Sequence, residues 1–321
     1  VDLSYPFVLV GGVLVVLAIL LGQLSNRIGA PLLLVFLALG MLAGEDGPLG
    51  IHFDDVGIAY QLGSMALAII LFDGGLRTPT ANFRIALWPS LSLATVGVLA
   101  TAAVTGVAAS WIFGLTWLQG LLIGAIVSST DAAAVFVLLH QRGTELQRRV
   151  GATLETESGI NDPMAIFLTV ACVELIRSGQ AAPGWEVAGH FLREMIGGGL
   201  IGVAGGYALI WLINRAEVAP GLYPILAAAG GLVIFAGAAQ VHASGFLAVY
   251  LAGLVIGNNR HRAASMIHRF HDALAWLSQI LLFLMLGLLV TPHRLVPDIR
   301  PLRWYGPAFR RYVMPGARVL A

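Results

Sequence analysis

Lysine is absent from the 321 residues, and all 18 basic residues are arginine. Charge of either sign is scarce: 17 acidic residues nearly balance the arginines, and charged residues make up only 11% of the chain, against about 25% in a soluble domain. That balance gives no reason to expect nucleic acid as a partner. A single cysteine, Cys172, excludes a disulfide framework and any cysteine-based metal cluster, and its apolar surroundings read as packing. Neither an HExxH zinc signature nor a GxSxG nucleophile motif occurs, so an intramembrane hydrolase lacks its machinery. What the chain has instead is 58% hydrophobic residues, 39 glycines and a mean hydropathy of +0.86. It reads as an all-α integral membrane protein whose first partner is the lipid bilayer.

A bilayer core of about 30 Å takes about 20 apolar residues per helix, fewer where a helix breaks inside protein. Ten spans are predicted, at 7–22, 31–44, 59–76, 86–112, 117–139, 158–176, 187–213, 222–237, 243–257 and 273–290. The first lacks a basic leading region and a small-residue cleavage site, so it reads as a span and not as a signal peptide. Arginine placement sets orientation, because positive loops stay cytoplasmic. Ten arginines fall in odd-numbered loops, namely Arg27, Arg77, Arg84, Arg142, Arg148, Arg149, Arg215, Arg260, Arg262 and Arg269. The even-numbered loops hold only Arg177, and loop two carries Glu45, Asp46, Asp54 and Asp55. The N-terminus is therefore expected outside.

Matched against itself at an offset of 213, the chain places Gly40 and Gly44 on Gly253 and Gly257. In the same register Leu71, Gly74, Leu76, Thr78 and Pro79 fall on Leu284, Gly287, Leu289, Thr291 and Pro292. Spans one to three thus correspond to spans eight to ten, and a shift of seven spans inverts them across the membrane. Inverted repeats of this kind build many secondary transporters, with the site at the midplane. The organisation expected is a transmembrane domain over 1–292, with a first repeat about 7–176, a linker helix about 187–213 and a partial second repeat about 222–292. The register asks for a further helix from about 299, but 293–321 is an aberrant tail rich in arginine and proline. About ten of thirteen transmembrane helices, a C-terminally truncated design, are the expectation.

Ionisable groups inside a membrane are costly and mark function by default. In span five, Ser128, Ser129, Thr130 and Asp131 interrupt an apolar run; in span six, Glu157, Ser158, Asn161 and Asp162 precede Pro163. Ser158 and Asp162 share one helix face, as do Glu157 and Asn161. Pro163 has no N–H, which frees the Gly159 carbonyl as an oxygen ligand. Hydroxyl, carboxylate and carbonyl oxygens are what a hard monovalent cation needs in place of water. Outside this cluster, Asp73 beside two glycines suits a cytoplasmic funnel, a helix cap or packing alike. His261, His268 and His271 read as a solvated basic loop, with a pH-sensing role as the alternative.

The segments TDAAAVF, ESGINDPMA and FDGGL resemble the bacterial monovalent cation:proton antiporters, most closely the potassium/proton branch related to the NhaP group. The likeness runs from about residue 7 to 292. It implies a multi-pass protein of the bacterial inner membrane with the inverted-repeat sodium/proton-antiporter-like fold, a homodimer built on a dimerisation domain and a mobile core with two crossed helices. By resemblance Asp162 carries cation or proton in alternation, Thr130, Asp131 and Ser158 are neighbouring ligands, and Glu157 pairs with an arginine of the second crossed helix. That helix is not found in these 321 residues. Ala132 stands where many relatives have proline, so span five must break without it. Relatives of this branch often carry a soluble regulatory domain after the last helix.

The expected activity is secondary active exchange of a monovalent cation, K+ before Na+, for H+, with no cofactor beyond the transported ions. Asp162 and Asp131 are the only metal ligands implied, for a monovalent cation alone. Asn161 occupies the position where electrogenic relatives of the fold carry a second aspartate, which predicts electroneutral exchange. The alternatives are a sodium-coupled organic-solute symporter of related fold and a truncated, transport-inactive product.

Overall fold

The structure, a computed structural model, describes residues 4–28, 32–130, 146–179 and 185–295. A helix overlaps each of the ten expected spans, though Trp117–Ile126 covers only the first part of span five. These helices are α1 (Ser4–Ile28), α2 (Leu32–Ala43), α3 (Val56–Arg77), α4 (Thr80–Phe113), α5 (Trp117–Ile126), α6 (Arg148–Ser178), α7 (Trp185–Arg215), α8 (Leu222–Gln240), α9 (Gly245–Asn258) and α10 (Ala264–Leu289). A single turn, α11 (Pro292–Leu295), follows. Among the described residues, α3, α4, α6, α7, α8 and α10 are long and apolar enough to cross a membrane.

Several helices outrun their predicted spans. α6 starts ten residues before 158, α10 nine before 273, and α4 six before 86. Hydropathy finds where lipid begins, whereas the helix is set by local hydrogen bonding, and polar helix formers such as the arginines at 148–149 extend it into the headgroup zone. The aberrant tail was expected from 293, yet Pro292–Leu295 is helical; 296–321 lies outside the described residues.

Two compact units divide the chain: residues 1–67 with 275–300, and 68–274 with 301–321. In the first, Leu14, Ala18, Phe36, Ala43, Ile280 and Leu284 form a core joining α1, α2 and α10. Small residues let α2 and α10 touch backbone to backbone: a Cβ added to Gly40 would lie 2.8 Å from Gly287 Cα and collide with the Leu284 carbonyl.

In the second unit α4 and α5 form a hairpin. Gly114, at φ 64°, ends α4, and Thr116 caps α5 in a capping box with Gln119. Pro89 and a π-helical turn over Leu93–Gly97 interrupt α4. Ser90, fully buried, donates from Oγ to the Thr153 carbonyl at 2.9 Å and so ties α4 to α6. α9 packs between α7 and α8 and approaches α3 closely, since a Cβ on Gly253 or Gly257 would collide with the carbonyl of Phe72 or Leu76. Large apolar side chains turn outward along the helices, Trp111 87% and Leu200 69% exposed. Such a surface is stable only against lipid or another apolar face.

Candidate functional site

α5 ends at Ile126, so the apolar run of span five breaks before Thr130 without any proline. The turn is held by Ser128, whose N–H and hydroxyl both donate to the Ala125 carbonyl, at 3.3 and 2.7 Å. Val127–Thr130 then runs on as irregular backbone, and it meets the middle of α6. Backbone of this kind is tolerated at membrane depth only where protein or water satisfies it. Here α6 does so: Ser158 Oγ donates to the Thr130 carbonyl at 3.1 Å.

The spacing argument for α6 holds in detail. Glu157 and Asn161, four apart, are joined by a bond from Asn161 Nδ2 to Glu157 Oε1 at 2.8 Å. The same amide donates to Thr130 Oγ1 at 2.8 Å. Thr130 Oγ1 donates in turn to Glu157, at 3.1 and 3.2 Å from the two carboxylate oxygens. Both Glu157 and Asn161 are buried, at 8% and 0% exposure. Among the described residues the partners of Glu157 are thus a hydroxyl and an amide.

Asp162 accepts a hydrogen bond from Ser129. Ser129 also lies 3.4 Å from Asn161 Oδ1. Gly159 faces the ring of Tyr250 on α9, and a Cβ there would come within 2.5 Å of Tyr250 Cε2. Pro163 is buried inside an unbroken α6, so the Gly159 carbonyl has no proline N–H to bind. Asp131 lies outside the described residues. Of the predicted set, the structure therefore brings together Thr130, Glu157, Ser158, Asn161 and Asp162. It adds Ser129, visible in the sequence as part of the polar patch but not singled out there.

Asp73 stands apart from this set. It is buried and held by Arg77 Nε at 2.6 Å, and Arg77 also pairs with Asp272 of α10. Only Oδ2 of Asp73 is held in this way; its Oδ1 is buried with no hydrogen-bond partner among the described residues. The histidines at 261–271 do not form a solvated loop: His271 is buried within α10, with Nδ1 at 2.8 Å from the Ile267 carbonyl. His261 lies before α10, and burial, followed by the neighbouring His268, pushes its pKa down.

Among the described residues no group of three or more histidine, cysteine or acidic side chains has the geometry of a metal site. What Ser129, Thr130, Ser158 and Asp162 offer is hydroxyl, carbonyl and carboxylate oxygen, a donor set for a dehydrated monovalent cation or a proton.

Residues 12–306 match the family model described as sodium/hydrogen exchanger, transmembrane. The chain is 52% identical over 300 residues to the K(+)/H(+) antiporter NhaP2 of Shewanella oneidensis, covering 92% of this chain and 51% of that protein. It is 50% identical over 294 residues to the K(+)/H(+) antiporter NhaP of Alkalimonas amylolytica, with the same two coverages. The chain thus spans about half the length of the curated relatives it matches. Its fold is like that of the sodium proton antiporter MjNhaP1 from Methanocaldococcus jannaschii, at a TM-score of 0.76 and 21% identity, over 93% of this chain and 72% of that one. Its multi-pass architecture, apolar outer surface and family match agree: this chain belongs to the transmembrane sodium/hydrogen exchanger family.

Proposed function

We propose that this chain forms the ion-exchanging part of a K+/H+ antiporter, in which Asp162 holds a proton or a cation in alternation. The observation that carries the reading is the meeting of broken span five with α6, where Ser129 donates to Asp162 and Ser158 to the Thr130 carbonyl amid apolar helices. Potassium is favoured over sodium by the K(+)/H(+) antiporter names of the two relatives near 50% identity. Burial favours a protonated carboxylate and a bound cation favours an ionised one, so the two ligands compete at one group. If the protein moves only when one of them is bound, exchange follows. A neutral Asn161 leaves one charge in play and makes exchange electroneutral. Asp131 joins the ligand set in this reading, and Glu157 supports it through Thr130 and Asn161.

Arginine placement supports an external N-terminus in a bacterial inner membrane, and the exposed apolar faces suit a homodimer in lipid. The glycine crossings support an inverted repeat. Gly40 meets Leu284 and Gly287 within one unit, and its partner in the repeat, Gly253, meets Phe72 and Leu76 within the other.

Proton movement driven by a K+ gradient in proteoliposomes tests the proposal. Asp162→Asn should abolish exchange, and imposed voltage should leave the wild-type rate unchanged. Exchange that survives Asp162→Asn overturns the assignment.

A further inference from the structure

We propose that the end of α7, beside the loop between α9 and α10, is a binding site for an anionic phospholipid, with its phosphate on Arg215, Arg260 and Arg262 and an acyl chain along the outer face of α7. Spacing sets that face. Leu192, Ile196, Leu200, Val203, Tyr207 and Trp211 recur at steps of three and four, so they form one stripe, and all are exposed. The opposite face of α7 is taken up by protein. A Cβ added to Gly198, Gly202 or Gly206 would lie 2.6 Å from Ser244 O, 2.5 Å from Ala248 O or 2.9 Å from Val255 Cβ. The order of these contacts makes α7 and α9 parallel, so the two helices end together.

There the Arg262 N–H donates to Asn214 Oδ1 at 3.2 Å, which brings the loop at 259–263 against the last turn of α7. Arg215, the last residue of α7, and Arg260 and Arg262 of the loop are all exposed. Among the described residues none of the three pairs with a carboxylate, that of nearby Glu217 included. Arg215 Cζ stands 5.6 Å from the centre of the Trp211 ring. This cation–π contact holds the guanidinium at the top of the stripe, and its planar fork of donors matches a phosphate. Depth agrees. The 27 residues Gly189–Arg215 measure about 40 Å at about 1.5 Å per residue, against about 30 Å for the hydrocarbon and about 40–45 Å with the headgroups. Trp211 thus falls at the interface that indole rings favour, with Arg215 one turn beyond it among the phosphates and the stripe below among the chains. A soluble anion could engage the arginines but not the stripe, and a zwitterionic lipid would set its own cation against three arginines. An anionic phospholipid matches both.

Thermal unfolding of the full chain in detergent, titrated with phosphatidylglycerol, phosphatidylcholine or inorganic phosphate, tests the site. It needs no transport, so its outcome is separate from that of Asp162→Asn. Phosphatidylglycerol should stabilise the wild type and stay bound in native mass spectrometry, and the other two should do neither. Arg215→Gln loses charge-assisted hydrogen bonds to the phosphate and should raise the phosphatidylglycerol needed for half-maximal stabilisation about tenfold or more. Arg84→Gln, at an exposed arginine near the start of α4, measures plain surface charge and should raise it about fivefold at most. Trp211→Leu keeps the stripe apolar but removes the ring under Arg215, and should weaken binding in the same direction as Arg215→Gln. Equal stabilisation by the two lipids, or stabilisation by inorganic phosphate to the same extent, overturns the proposal. So does an equal response of Arg215→Gln and Arg84→Gln. A Trp211→Leu variant whose assembly loses the mass of one chain assigns the face to a second copy and overturns the lipid site.

Discussion

Asn161→Asp is the substitution that would seem to convert an electroneutral exchanger into an electrogenic one by adding a second carboxylate. The structure gives the opposite expectation near neutral pH. The amide it replaces is a donor, with Nδ2 at 2.8 Å from Glu157 Oε1 and 2.8 Å from Thr130 Oγ1. An ionised aspartate there has nothing to donate and sets oxygen against oxygen. Two unit charges about 4 Å apart repel by roughly 4 kcal/mol at an effective dielectric of 20, equivalent to about three pH units. The pair relieves this by holding one proton between the two carboxylates, which restores the donor that the amide supplied. Exchange by Asn161→Asp in proteoliposomes should therefore remain insensitive to a voltage imposed with a permeant anion at pH 7. Thermal unfolding gives a second readout. Asn161→Ala loses its hydrogen bond to the Glu157 carboxylate, worth about 1.5–3 kcal/mol, whereas Asn161→Asp regains it through the shared proton. At pH 7 the aspartate variant should be the more stable of the two, with the order reversing in alkaline buffer. A rate that depends on voltage at pH 7, together with an aspartate variant less stable than the alanine one, refutes the reasoning.

Two further predictions concern stability. Arg77→Gln leaves the buried Asp73, 7% exposed, without its cation. Removing one partner of a buried pair costs about 3–5 kcal/mol, and the half-exposed Arg77 side chain brings that down to about 2 kcal/mol. Adding Asp73→Asn should recover more than half of the loss in a thermal melt, and no recovery would show that the pairing is not the cause. Gly253→Val puts a Cβ against the Phe72 carbonyl and 3.1 Å from Leu76 N; overpacking of this kind costs about 1–3 kcal/mol. Gly237→Ala, where nothing lies within 4 Å, serves as the control and should be neutral or slightly stabilising.

How much of this was legible in the sequence depends on how local the cause is. Membrane helices are announced by composition over about 20 residues, so each of the ten spans overlaps a helix, although only the first part of span five does so among the described residues. The Arg148 and Ala264 starts lie ten and nine residues before their predicted spans, because they owe nothing to hydropathy. Contacts along one helix were also readable: the four-residue spacing of Glu157 and Asn161 became a direct bond. Contacts between helices were not. That Ser129, of three neighbouring hydroxyls, is the one to reach Asp162 depends on how α5 ends against α6. Nor could the sequence pair Arg77 with Asp272, since the two are 195 residues apart. Isolated histidines misled for the same reason: His271 in a basic stretch looks solvated until α10 is seen to begin at Ala264 and bury it.

The repeat proposed from glycines finds independent support at two helix starts. Thr80 N–H, exposed at the beginning of α4, donates to Asn258 Oδ1 at 2.7 Å, and Asn258 Nδ2 returns a bond to the Thr78 carbonyl at 2.8 Å. The offset of 213 carries Thr80 to His293, whose N–H donates to Asp46 Oδ2, also at 2.7 Å. Asn258 and Asp46 are matched to within one residue: Asn258 is the last residue of α9, Asp46 lies in the turn three residues after α2, and each reaches across to cap the turn that follows a Thr-Pro pair. Neither cap is visible as an ordinary N-cap signature, because the capping side chain lies far away in sequence. A helix start needs an acceptor for its free N–H groups, and in each unit it is taken from the end of a short helix or the turn just after it. Chance likeness between apolar segments explains shared glycines. It does not explain why the same backbone atom, at corresponding positions, is capped from corresponding places in both units, once by an amide and once by a carboxylate.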